Sequence, residues 1–198
     1  MSGTYPTTPE FRSIGFNSEQ KTITSTTDSG KMFAVQVDGQ RFKFSASYPP
    51  MSRSDFAPVL AFVMKQRSQK ETFQIALPDL KNAKGDVSGT VLVNGSHSAG
   101  DTTIDVDGMT GSLLAGDFIK FASHDKVYMV VADQSDISTG SLTIEPPLTT
   151  AVSSSNITYD NVPFTVHLTN DIQEFGVVGA DNSGNALYQF EFDVEEAL

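Results

Sequence analysis

Polar and apolar residues alternate in short runs along this chain, and Gly, Pro, Asn, Asp and Ser break the runs. That is the pattern of a protein built mainly from β-strands. In Arg41–Phe42–Lys43–Phe44 the alternation puts Phe42 and Phe44 on one face of a half-buried strand. Near the C-terminus Tyr188, Phe190, Phe192 and Val194 alternate with Gln189, Glu191 and Asp193. This predicts a long strand with one mostly aromatic face and one largely acidic face. A strand is also expected over Thr72–Leu77.

One stretch has helical spacing instead. Phe56, Val59, Leu60 and Val63 fall at i, i+3, i+4 and i+7, and Lys65, Arg67 and Lys70 follow, where cations suit a helix C-terminus. Pro49–Pro50 ends the preceding strand, and Ser52 with Asp55 three residues later forms a box-like start. The helix is expected at about 52–68. Pro58 keeps the start open: with Ser54 or Asp55 as the cap, it would fall in the first turn, where its missing N–H costs least.

The polar stretch Pro78–Gly89 reads as a loop or domain boundary. Short β runs then recur about every ten residues: Val91–Val93, Thr102–Val106, Phe118–Phe121, Val127–Val131 and Leu142–Ile144. This spacing suits a small barrel. Ala151–Asn156, with three serines, reads as a return linker, and Pro163–Leu198 resumes the earlier strands. The expected organisation is a discontinuous β domain, 1–90 with 161–198, interrupted by a small β-barrel at 91–160. The fold class is mainly β, a sandwich or barrel with one flanking α-helix.

Charge sharpens the division. The 198 residues carry a net charge of −11, distributed as +3 over 1–90, −7 over 91–160 and −7 over 161–198. Tracking nucleic-acid phosphates requires Lys and Arg, so the acidic second half argues against an ordinary DNA- or RNA-binding role. The excess serves solubility, or forms a surface past which DNA slides without adhering. The absence of cysteine rules out disulfides, thiolate-held metals and thiol catalysis. No apolar run reaches about 18 residues and Met1–Phe11 is polar, so no membrane span is expected, and a soluble, cytoplasmically assembled protein is.

Motifs of chemistry fail on inspection. At Ser96–His97–Ser98–Ala99–Gly100 a serine stands where a nucleophile elbow needs its first glycine, so His97 is expected in a plain loop. Gly30–Lys31 is followed by Met32, which breaks a phosphate loop. His97, His124 and His167 show no ligand spacing, and Asp105–Val106–Asp107–Gly108 lacks the first and last carboxylates of a calcium loop, leaving a tight turn at Asp107–Gly108. The sequons Asn94–Gly95–Ser96 and Asn156–Ile157–Thr158 carry no weight without a secretory signal. No catalytic residue, cofactor or metal site is expected, and the chain is not read as an enzyme.

The passage LLAGDFIKFASHDKVYMVVAD (113–133) followed by GSLTIEPPL (140–148) resembles a segment of tail proteins of tailed bacteriophages. The flanks SRSDFAPVLAFVMKQRSQKETFQIALP, FTVHLTNDIQEFGV and YQFEFDVEEAL resemble the same group, the distal tail and baseplate hub structural proteins. The resemblance implies a tail-tube-like β-sandwich whose copies form a ring, a hexamer being favoured over a trimer, around a channel through which DNA only passes. It implies a location in the virion tail, with the tail tube and baseplate or fibre proteins as partners and no sequence-specific nucleic-acid or membrane binding. The inserted barrel would lie outside. Many distal tail proteins are longer than this chain. On this reading Glu191, Asp193, Glu195 and Glu196 are the candidate channel-lining residues, against the plainer view that they form an ordinary solvent-facing strand. The rival from another class is a carbohydrate-binding or adhesive β-sandwich module, which the absence of Trp disfavours. A cell-wall hydrolase is the third, and it would reveal itself by carboxylates clustered in a cleft.

Overall fold

The computed structural model describes residues 3–37, 39–135 and 139–198. The chain is mainly β, and contacts divide it into two units, Met1–Phe73 with Val166–Ala197, and Gln74–Thr165 with Leu198. The first segment carries β1 (Ser13–Glu19), β2 (Thr22–Thr26), β3 (Met32–Gln36), β4 (Arg41–Ser47), α1 (Arg53–Lys65) and β5 (Phe73–Ile75). Next come β6 (Leu92–Val93), β7 (Ser96–His97), β8 (Thr103–Asp107), β9 (Ser112–Leu113), β10 (Phe118–Phe121) and β11 (Val127–Val130). They are followed by β12 (Gln134–Ser135), β13 (Thr139–Glu145), β14 (Val152–Ser153) and β15 (Ile157–Thr158). The chain ends in β16 (Phe164–Leu168), β17 (Phe175–Ala180) and β18 (Ala186–Glu196).

In the first unit the sheet runs β1-β4-β18-β16-β5, with β17 also on β18. The alternation in β4 and β18 sets its two faces. Phe42, Phe44 and Ala46 on β4, and Phe190, Phe192 and Val194 on β18, are buried. Helix α1 lies on this apolar face: the Phe56 ring stacks on Tyr188 at 5.5 Å and sits 6.2 Å from Phe190. Tyr5 stacks on Phe192 at 5.1 Å and meets Tyr48 hydroxyl to hydroxyl at 3.2 Å. Burial pushes the Tyr48 hydroxyl up to about 12.

Ser52 caps α1, accepting from the Asp55 N–H at 3.3 Å while its own hydroxyl donates to the Asp55 carboxylate at 2.8 Å. The helix stops at Lys65 rather than 68, because Arg67 (φ 54°) and Ser68 (φ 60°) are left-handed and a short 3-10 turn follows. With Ser52 as the cap, Pro58 lies inside the helix and not in its first turn. It is exposed, so its ring points away from the core.

The second unit is a nearly closed barrel-like sheet, ordered β15-β10-β11-β13-β8-β6. Its ends approach through a bridge between Leu92 and Asn156, with Ile157 N–H donating to the Val91 carbonyl at 2.9 Å. β10 and β11 pair as a hairpin, and Val106, Ile119, Tyr128, Leu142 and Ile144 fill the interior. Ala151–Asn156 is not a linker, since Val152 is buried, β14 pairs with β7 and Asn156 helps close the barrel. The chain enters this unit along β5 and leaves along β16.

Candidate functional site: the polar face of the β4–β18 sheet

Strand parity fixes which side chains share the face opposite the aromatic core. On β1 these are Ser13, Gly15, Asn17 and Glu19; on β4, Arg41, Lys43, Ser45 and Ser47; on β18, Glu191, Asp193 and Glu195. Their register runs in rows, with Lys43 opposite both Asn17 and Glu195, Ser45 opposite Gly15 and Asp193, and Ser47 opposite Ser13 and Glu191. Most of the residues in the last two rows are small. The Ser13 and Ser47 hydroxyls join at 2.6 Å, and a β-carbon on Gly15 would come within 2.8 Å of the Ser45 hydroxyl.

Charge is segregated along the face. At one end Glu195 receives the Arg41 guanidinium at 2.7 Å and the Lys43 ammonium at 3.0 Å, and Lys43 also pairs with Glu19. Partial burial by itself would raise the Glu195 carboxyl, but the hydrogen bonds from Arg41 and Lys43, with their charge, outweigh it and hold the group below its usual value. The Glu19 and Glu195 hydrogen bonds raise the Lys43 ammonium in turn. Further along, Glu191 and Asp193 are exposed, and Asp193 accepts from the Asn170 side-chain amide at 3.3 Å. The whole face carries Arg41 and Lys43 against Glu19, Glu191, Asp193 and Glu195, two cations against four anions.

Three of the four acidic residues singled out in the sequence therefore lie together. Glu196 does not: it follows the parity of Phe192 and Val194, is fully buried, and accepts from the Phe42 N–H at 3.2 Å. Arg41, Lys43 and Glu19 belong to the face and were not linked to it from sequence. Their alternation with Phe42 and Phe44 was visible, but pairing β4 beside β18 was needed to bring them to Glu195.

Elsewhere polar groups serve the fold. His97 Nε2 accepts from the Asp105 N–H at 3.1 Å, so the histidine beside two serines orients backbone. Lys120 donates to Asp125 at 2.9 Å and to Thr165 at 3.2 Å. His124 Nε2 lies 2.8 Å from the Tyr128 hydroxyl, and burial followed by the charge of Lys120 lowers its basicity. Gly108 (φ 72°) makes the turn after Asp107, and a β-carbon there would strike the Thr90 carbonyl at 2.4 Å. Among the described residues no group of three or more His, Cys, Asp or Glu is placed to hold a metal, and no helix is long and apolar enough to cross a membrane.

Residues 81–162 match the family model for the B domain of the distal tail protein pb9, a stretch inside the second unit. Over 173 residues the chain is 22% identical to the distal tail protein pb9 of Escherichia phage T5, covering 83% of this chain and 84% of that protein. The resemblance read from the sequence thus extends over both units.

Proposed function

We infer that this chain, a relative of the distal tail proteins of tailed bacteriophages with a structural part in the tail, is a ring component at the distal end of the tail tube. Copies assemble on the tail in the host cytoplasm. The ring joins tube to baseplate or fibre proteins, and the β1-β4-β18 polar face lines its channel. The barrel of the second unit serves as a platform for neighbouring tail parts.

The observation that carries this reading is the polar face itself. Two of its four rows hold mainly Ser and Gly, and the face carries more anions than cations. Like charge repels a phosphate backbone, so duplex DNA passes such a wall without a phosphate-binding grip. Burial of β-edges between copies also suits a β-rich chain, because a closed ring leaves no free strand edge.

Native mass by light scattering, with negative-stain microscopy, tests the reading. A ring with a central hole of duplex width is expected, hexameric before trimeric. A chain that stays monomeric both alone and when mixed with tail-tube ends would remove the ring from this account.

A further inference from the structure

β2 and β3 continue the β1–β4 pair outward. The register that joins Glu19 to Arg41 resumes at Thr22 and Gln36, two residues on one side answering four on the other. All ten strand residues of this extension are exposed. Ile23 pairs across to Val35 and Ser25 to Phe33, so Ile23, Phe33 and Val35 share one face, with exposures of 65%, 50% and 65%. A two-stranded hairpin is marginal alone in water, and an exposed apolar stripe of this kind marks a contact surface. Between Lys21 and Val37 the sequence holds two lysines, Lys21 and Lys31, and one acid, Asp28, with Glu19 and Asp38 just outside.

A complementary surface lies at the other end of the same sheet. A groove of about 920 Å³ runs beside β17, with Ile172, Phe175 and Val178 contributing apolar surface and Asp171, Glu174 and Glu191 its charge. Ile172 and Val178 are 77% and 51% exposed, and among the described residues no Lys or Arg lines the groove. The hairpin leaves the sheet beside Arg41, whereas the groove abuts Glu191, which is in register with Ser47. Those two ends of β4 are about 20 Å apart at the rise of an extended strand. A hairpin directed away from the sheet does not turn back to fill the groove of its own chain.

We propose that the β2–β3 hairpin of one copy docks in the β17 groove of the next copy, with its Ile23–Phe33–Val35 stripe on Ile172, Phe175 and Val178 and its lysines against Asp171 and Glu174. The proposal rests on the ring reading above and names the contact that builds the ring. Such a contact is head-to-tail, so each copy gives a hairpin and receives one, and the series closes when the rotation between copies closes.

The cysteine-free chain allows a direct test. One preparation carries Phe33→Cys, a second, differently tagged, carries Val178→Cys, and the two are mixed under mild oxidation. A mixed disulfide dimer is expected in large excess over either same-site dimer. Lys21→Glu with Lys31→Glu in the hairpin copy should cut its yield at least tenfold, and Asp171→Lys with Glu174→Lys in the groove copy should restore it. Rings or other oligomers of the unmodified chain without the mixed disulfide would overturn the docking and leave the ring standing. A dominant Phe33→Cys same-site dimer would also overturn it, in favour of symmetric hairpin pairing. A chain that stays monomeric and gives no mixed product counts against both readings.

Discussion

Arg41 and Glu195 reach each other diagonally across neighbouring strands, guanidinium Nη1 to carboxylate Oε1 at 2.7 Å, while Lys43 holds the second carboxylate oxygen at 3.0 Å. One carboxylate thus ties two cations to the polar face and leaves the negative charge further along, at Glu191 and Asp193, without a cation in the same pairing. The tie contributes modestly to stability, because Arg41 keeps 43% of its side-chain surface in water. Partly exposed pairs of this kind are worth roughly 0.2–1 kcal/mol.

The sign of its pH dependence follows from the depressed Glu195 carboxyl. A carboxyl lower in the folded than the unfolded state stabilises fully above its unfolded value and loses this as pH falls through its folded value. Urea unfolding between about pH 7 and pH 3 should therefore show a steeper loss of stability for the parent than for Glu195→Gln. Some slope should persist in the variant, since Asp86, Asp125 and Asp181 are also held low by hydrogen bonds. Parallel curves for the two proteins would refute the role given to Glu195.

Phe190 is the hub of the aromatic packing, 1% exposed, with Phe175 at 5.0 Å, Phe192 at 5.5 Å and Phe56 at 6.2 Å. Its removal leaves a void that rigid rings do not refill. Phe190→Ala should cost about 3–5 kcal/mol in chemical denaturation. A loss below about 1 kcal/mol would mean that helix and sheet do not share this core.

Pro58 gives a prediction of the opposite sign. It sits inside α1, where it has no N–H to offer the Ser54 carbonyl, and it is exposed, so its ring supports no core. Pro58→Ala should stabilise the protein by about 1–3 kcal/mol. Ser52→Ala should destabilise it by about 1 kcal/mol through loss of the cap. Thermal unfolding of the two variants checks both directions at once.

Asp117 is a carboxylate buried to 2% exposure, accepting from the Lys84 N–H and the Leu114 N–H, both at 2.8 Å. It fastens the loop before the barrel to the turn that opens β10. Asp117→Ala strands both donors, and a cost of about 2–4 kcal/mol is expected from two lost bonds to a charged acceptor. Hydrogen exchange should quicken at Lys84 and Leu114 first. Unchanged protection there would show that the loop is held by other means.

The mainly β fold, the helix and the strands of the barrel were legible because each rests on local periodicity: Phe42 and Phe44 at period two, Phe56, Val59 and Val63 near 3.6. Parity alone also told that Glu191 and Asp193 oppose Phe190 and Phe192. Glu196 obeys the same parity, which places it with the core, but its carboxylate drew it into the acidic group. Elsewhere the reading failed where the fold depends on contacts distant in sequence. Val152 looked like part of a serine-rich linker, although one buried valine and a pair of bonds to a strand some fifty residues earlier suffice to hold it. The β2–β3 extension left no trace in the periodicity of a core, because neither of its faces is buried within the chain.

The polar face yields the prediction closest to function. Glu191 and Asp193 are its exposed carboxylates, and reversing them with Glu191→Lys and Asp193→Lys turns two cations against four anions into four against two. The variant is still acidic overall, so any new affinity for DNA reports the face rather than bulk charge. The parent protein should not retain duplex DNA. The reversed protein should bind it at about 50 mM salt and release it by about 200 mM, as expected when lysines displace counterions from phosphates. Assembled rings should show this more strongly than single chains, because a ring brings one such face per copy around the same duplex and the contacts add. If the reversed ring passes over DNA as freely as the parent, this face does not line the channel, and the acidic strand is a solvated surface.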